Sequence, residues 1–198
     1  MKKVILFVAL LAFYLTSCNS NASKQNAEMD HHDHEDGHEH AEMDHAADSD
    51  KTVVQESSTS TALLNAYLSI KDALVKDDQE AAGKAGTLLT ASISSFDYSS
   101  FKEADQQALK EILEVAKENG EHISNNEIEH QRKHFEALGK NIKEIVAIAG
   151  TDRTLYQQYC PMYNEGGMWF SASNEIRNPL FGSKMLKCGS VQEEISVN

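Results

Sequence analysis

Residues 128–149 read Ile-Glu-His-Gln-Arg-Lys-His-Phe-Glu-Ala-Leu-Gly-Lys-Asn-Ile-Lys-Glu-Ile-Val-Ala-Ile-Ala. Ile128, Phe135, Leu138, Ile142, Ile145 and Ala149 recur at spacings of 7, 3, 4, 3 and 4, which is one face of an α-helix. Asn126 and Glu129 stand three apart before it in the spacing of a capping box, and Gly150 supplies a stop. Upstream the same logic repeats. Ser100 and Glu103 offer a second box ahead of Phe101, Ala108, Leu109, Ile112, Leu113 and Ala116, with an end expected at Gly120. Residues 78–94 carry Ala81, Ala85, Leu88, Leu89 and Ile93 as an inward set, weakened by Gly83 and Gly86, each of which costs about 1 kcal/mol relative to Ala. Leu63, Tyr67, Ile70 and Leu74 form the stripe of a first helix. Four amphipathic segments with short connections predict an antiparallel four-helix bundle.

Past Gly150 the 3.6-residue pattern stops. The segment from about residue 151 holds both prolines, the only tryptophan and two of the three cysteines, and reads as a small irregular Cys/Met lobe. The expected class is therefore all-α, with residues 58–198 as a helical domain ending in that lobe.

Toward the N-terminus the chain changes character twice. Lys2 and Lys3 precede an apolar run over residues 4–15, shorter than the roughly 20 residues of a membrane-spanning helix, so residues 1–17 read as a secretory leader. Leu15-Thr16-Ser17-Cys18 is similar to the lipobox of bacterial lipoproteins, which implies cleavage before Cys18 and lipidation of it. Residues 18–57 are poor in branched aliphatics and rich in Asp, Glu and His, the composition of a disordered tether. Six of the nine histidines lie there, His31, His32, His34, His38, His40 and His45, and Ala-Glu-Met-Asp-His occurs twice. Imidazoles beside carboxylates suit Cu(II) or zinc. A plain polar spacer is the alternative, although a spacer needs no histidine.

Net charge is −13, and no basic cluster breaks it, which argues against nucleic acid as a partner. No Ser-His-Asp set or glycine-rich phosphate loop is present, so the chain does not read as an enzyme. Cys160-Pro161-Met162 and Met185-Leu186-Lys187-Cys188 place two thiols and two thioethers almost as mirror images. Such soft donors select Cu(I) over hard cations. The same two cysteines, alone in an oxidising envelope once Cys18 is lipidated, equally suit a disulfide or remain unpaired. His130 and His134 are four apart, share a helix face and can reach one metal. Glu127-Ile128-Glu129-His130 also contains the Glu-x-x-His element of di-iron bundles, but no second copy falls on an expected helix.

Taken together, Ile128 to Leu138, Tyr159-Cys160-Pro161-Met162, Trp169-Phe170-Ser171, Glu175-Ile176-Arg177-Asn178-Pro179-Leu180-Phe181-Gly182 and Lys184-Met185-Leu186-Lys187-Cys188-Gly189 resemble a domain-of-unknown-function family of bacterial envelope lipoproteins. Similar domains end the periplasmic adaptor subunits of copper/silver efflux systems. The resemblance runs over about residues 61–195. It implies a helical domain with a cysteine/methionine cap that handles heavy metals in the envelope, anchored to the membrane by lipid, with an efflux adaptor as a possible partner. A helical adaptor with a structural Cys160–Cys188 disulfide and no metal of its own is the competing expectation.

Overall fold

The computed structural model describes residues 49–198. The leader, Cys18 and the six tether histidines lie outside the described residues. Four helices, α1 (Thr61–Val75), α2 (Gln79–Ser94), α3 (Glu103–Asn125) and α4 (Ile128–Ala149), follow one another through short turns. Each packs on its neighbour in sequence, and α1 also meets α4. The core is the set the periodicity marks: Leu63, Tyr67, Ile70, Leu74, Leu89, Leu109, Leu113, Phe135, Leu138, Ile142 and Ile145 are all buried. Of the rest, Ala81, Phe101, Ala108, Ile112 and Ile128 are half-buried, and Leu88 is 62% exposed because Ala82, Ala85 and Leu89 define the inward face of α2 instead.

Gly86 explains its own helix-weakening cost. A Cβ there would stand 2.9 Å from the Gly120 carbonyl oxygen, so α2 and α3 cross at glycine on both sides. Gly120 accordingly does not end α3, which runs on to Asn125. Neither expected capping box forms. Lys102 and Glu127 are the N-caps and make no side-chain cap bond, while Asn126 turns back to donate to the His122 carbonyl at 2.8 Å. Asp78 does cap α2, accepting from the Ala81 amide at 2.9 Å.

The all-α expectation is overturned. The chain also builds a four-stranded mixed sheet from β1 (Asp50–Val54), β2 (Leu155–Cys160), β3 (Gly167–Ser171) and β4 (Ser190–Val197), in the order β1-β4-β2-β3. β4 and β3 run antiparallel to β2, and β1 is parallel to β4. The lobe is therefore ordered strand structure plus a single 3₁₀ turn (Gly182–Met185), not an irregular cap. The reason is burial on both faces: adjacent Trp169 and Phe170 are each fully buried, which erases the polar/apolar alternation of a half-buried strand. β1 falls within the segment that composition reads as tether, and four of its five residues are exposed, so no apolar pattern signals it.

One face of β3 lies against α4 and α1. Gly139 permits this, since a Cβ there would approach the Met168 carbonyl oxygen to 2.9 Å. On the other face Trp169 donates to Gln158 Oε1 at 2.7 Å. Gln158 in turn donates to the carbonyls of Ser173 and Glu175 at 2.9 and 3.1 Å, tying the loop after β3 over the sheet. Arg132 of α4 locks that loop to the helices, donating through Nε to the Pro179 carbonyl and through Nη2 to the Leu74 carbonyl, both at 3.1 Å.

Candidate metal-binding sites

The structure gathers candidate ligands at two places. The first is the end of β2, where the strand delivers Cys160 into a fully buried position. Cys188 approaches it from the segment before β4, close enough that Cys160 perturbs its thiol. Both are free thiols. Asn178, itself fully buried, sets the position of Cys188. Its side-chain amide donates to the Cys188 carbonyl at 2.9 Å, its backbone amide donates to the Leu186 carbonyl at 2.8 Å, and its Oδ1 accepts from the Leu180 amide at 2.8 Å. The Asn-Pro-x-Phe-Gly block thus acts as a bracket behind a thiol.

Cys160 is the main reason the Cys188 thiol is held above its ordinary range, with burial adding to it, while a hydrogen bond from the Met162 backbone pulls the other way. Of the four sulfur residues, then, the fold brings the two cysteines together. Met162 reaches them by its backbone, with its side chain 63% exposed. Met185 is half-buried in the 3₁₀ turn, and its carbonyl accepts from the Cys188 amide at 3.0 Å. Met168 packs on α4 at Gly139.

The second place is the α3–α4 turn. His130 and His134 share a face of α4, and His122 of α3 joins them, with one ligand nitrogen of each residue lying within 4.8 Å of the others. His130 Nε2 and His122 Nδ1 are 3.3 Å apart. The His122 and His134 rings stack at 4.1 Å with 7° between planes, and His130 tilts against His134 at 4.5 Å. Asn119 fixes the third ring. Its Nδ2 donates to the Val115 carbonyl and to Asn141 Oδ1 at 3.1 and 3.2 Å, so its Oδ1 is left to accept from His134 Nδ1 at 2.8 Å. That leaves the lone pair of His134 on Nε2. Burial first, then His122, His130 and Lys133, pushes the His134 pKa down to about 4, so this ring is neutral across the physiological range.

Sequence reasoning paired His130 with His134 and missed His122. The signal was present: His122 and His130 are each four residues from Asn126, so a helical hairpin turning there sets them opposite. Ending α3 at Gly120 hid it.

The described chain is thus an α+β domain with an imidazole cluster on its helical hairpin and a thiol pair at its sheet. Residues 63–154 match the model of a family described as a protein of unknown function, DUF3347. The matched region takes in the four helices and the histidine cluster and stops before β2, leaving the thiol pair outside it. No curated protein and no solved structure matches the chain significantly.

Proposed function

We propose that this chain is a lipid-anchored protein of the bacterial envelope, facing the periplasm or the cell surface, that binds heavy-metal ions, copper above all, for capture, delivery or resistance, and is not an enzyme. The observation that carries the reading is the approach of Cys188 to the buried Cys160, two thiols with Asn178 behind them and flanked in sequence by Met162 and Met185. A pair of sulfurs at one point offers Cu(I) the soft ligands it prefers. The His-rich residues 28–45 supply a second class of ligand, suited to Cu(II) or zinc, and the lipobox-like Leu15-Thr16-Ser17-Cys18 supplies the anchor. The likeness to domains of copper/silver efflux adaptors makes such a subunit the natural recipient of the metal.

The same approach favours a second reading. Two thiols this close are also positioned for a structural disulfide in an oxidising compartment, and the chain would then be a helical adaptor docking on an envelope complex without metal of its own. Cu(I) competition under reducing conditions separates the two. Cys188→Ser is expected to lower Cu(I) retention at least tenfold, and Met162→Leu with Met185→Leu to lower it further while preserving volume and fold. Unchanged Cu(I) affinity in Cys188→Ser, together with fully bridged cysteines in protein isolated from its native envelope, overturns the copper reading in favour of the adaptor.

A further inference from the structure

We infer that His122, His130 and His134 form a divalent-metal site that takes Zn(II) or Cu(II) through three imidazole nitrogens and leaves one coordination position open. The inference does not rest on the copper reading of the thiol pair, which lies on the sheet and uses different ligand chemistry.

Spacing supports it first. One ligand nitrogen of each of the three rings already lies within 4.8 Å of the others, so a side-chain rotation suffices to reach the separation of about 3.3 Å between two nitrogens bound at about 2.05 Å in a tetrahedral shell. The second support is the way His134 is held. Metal-binding histidines characteristically donate their other ring N–H to an oxygen that fixes tautomer and ring orientation, and Asn119 Oδ1 does this for His134. Asn119 is only 8% exposed, and asparagine is a poor residue for a helix interior. Its own amide is spent on Val115 and Asn141, so its orientation is set before His134 meets it.

One movement is required. Parallel rings stacked at 4.1 Å cannot both aim a lone pair at one point. His122 is exposed in the last turn of α3, so it can rotate about its side-chain bonds while Asn119 keeps His134 in place. The metal then joins the last turn of α3 to the start of α4. Three neutral imidazoles suit ions of intermediate softness such as Zn(II) and Cu(II), not Ca(II) or Mg(II). With three protein ligands the fourth position is free for water or a group on a partner, the pattern of an exchangeable site, not a closed structural one.

The test uses the full chain with His31, His32, His34, His38, His40 and His45 all changed to Asn, so that the tether cannot compete. One equivalent of Zn(II), and separately of Cu(II), is added while thermal unfolding is followed, because an ion bound only by the folded hairpin raises the melting temperature. A rise is expected with one or both ions, and the ion giving the larger rise identifies the preferred metal. His122→Ala and His130→Ala, added singly, should each abolish it without changing the melting temperature in chelator, while Cys188→Ser should retain it. With Cu(II), the electron paramagnetic resonance spectrum should show nitrogen couplings that weaken in His122→Ala. A rise that survives His122→Ala, a rise lost only in Cys188→Ser, or no rise with either ion each overturns the site.

Discussion

The Tyr67 hydroxyl of α1 accepts the Phe170 amide of β3 at 2.9 Å, across 103 residues of sequence. β3 is an edge strand, and an edge exposes backbone groups that need partners. The helix supplies one. Because both residues are fully buried, water has no ready access, and burial also keeps the phenol protonated far above its ordinary range. Tyr67→Phe keeps the ring stacked on Phe135, whose centroid is 4.9 Å away, but leaves a buried N–H without a partner. The expected loss is about 1–3 kcal/mol, read by urea unfolding. A change near zero would mean that the strand edge is satisfied some other way.

Arg132 makes the second join between helices and sheet. It is 2% exposed, pairs with Asp77 and bonds two carbonyls from different segments. Arg132→Met fills most of the volume but strands the Pro179 carbonyl, at a cost of about 1–3 kcal/mol, and leaves the Leu74 carbonyl with only the Asp77 amide, 3.2 Å away. Arg132→Lys should recover only part of the loss, since an ammonium lacks the planar fork that spans the two acceptors. Equal stability of the Lys variant and the parent would refute that geometry.

Removal of residues 50–56 tests whether the start of the described chain belongs to the fold. Residues 50–54 pair with residues 193–197 of β4, and just beyond, Gln55 and Ser57 exchange backbone bonds with Thr151 at 3.2 and 3.0 Å. Without them one edge of β4 is bare. The melting temperature should fall by at least the roughly 2–4 °C that 1 kcal/mol represents at this size. No fall would make the strand an ornament on a domain that begins at α1.

That strand also marks the limit of what was legible. Helical stripes are local, so Phe135, Leu138 and Ile142 announced α4 and its buried face without any knowledge of partners. β1 is solvent-facing and pairs with residues more than 140 positions away, which no local pattern can report. β2 buries Gln158 beside Leu155 and Cys160, a mixture that reads as irregular until Trp169 is seen to satisfy Gln158. The four sulfur residues stand out in the sequence, and their meeting was legible only in part: Cys188 comes near Cys160, whereas Met162 is mostly exposed. The histidine cluster was half visible, because the i, i+4 pair is a helical fact and the third ring depends on where the hairpin turns.

His134 yields a pH dependence with a definite sign. In the unfolded chain its imidazole titrates near 6.5, and in the folded chain it is held down to about 4 by burial, by His122 from α3, and by His130 and Lys133 on its own helix. Between those values the unfolded state binds the proton more readily, so the contribution of neutral His134 is fully present above about pH 6.5 and is lost as pH falls toward 4. His134→Gln keeps a donor for Asn119 and removes the titration. Unfolding free energies measured from pH 7.5 to 4.5 in a chelating buffer should therefore fall more steeply for the parent than for His134→Gln, the carboxylates common to both cancelling in the difference. Parallel curves would show that His134 takes up its proton at an ordinary pKa, and that its burial against Asn119 is looser than the 2.8 Å contact implies.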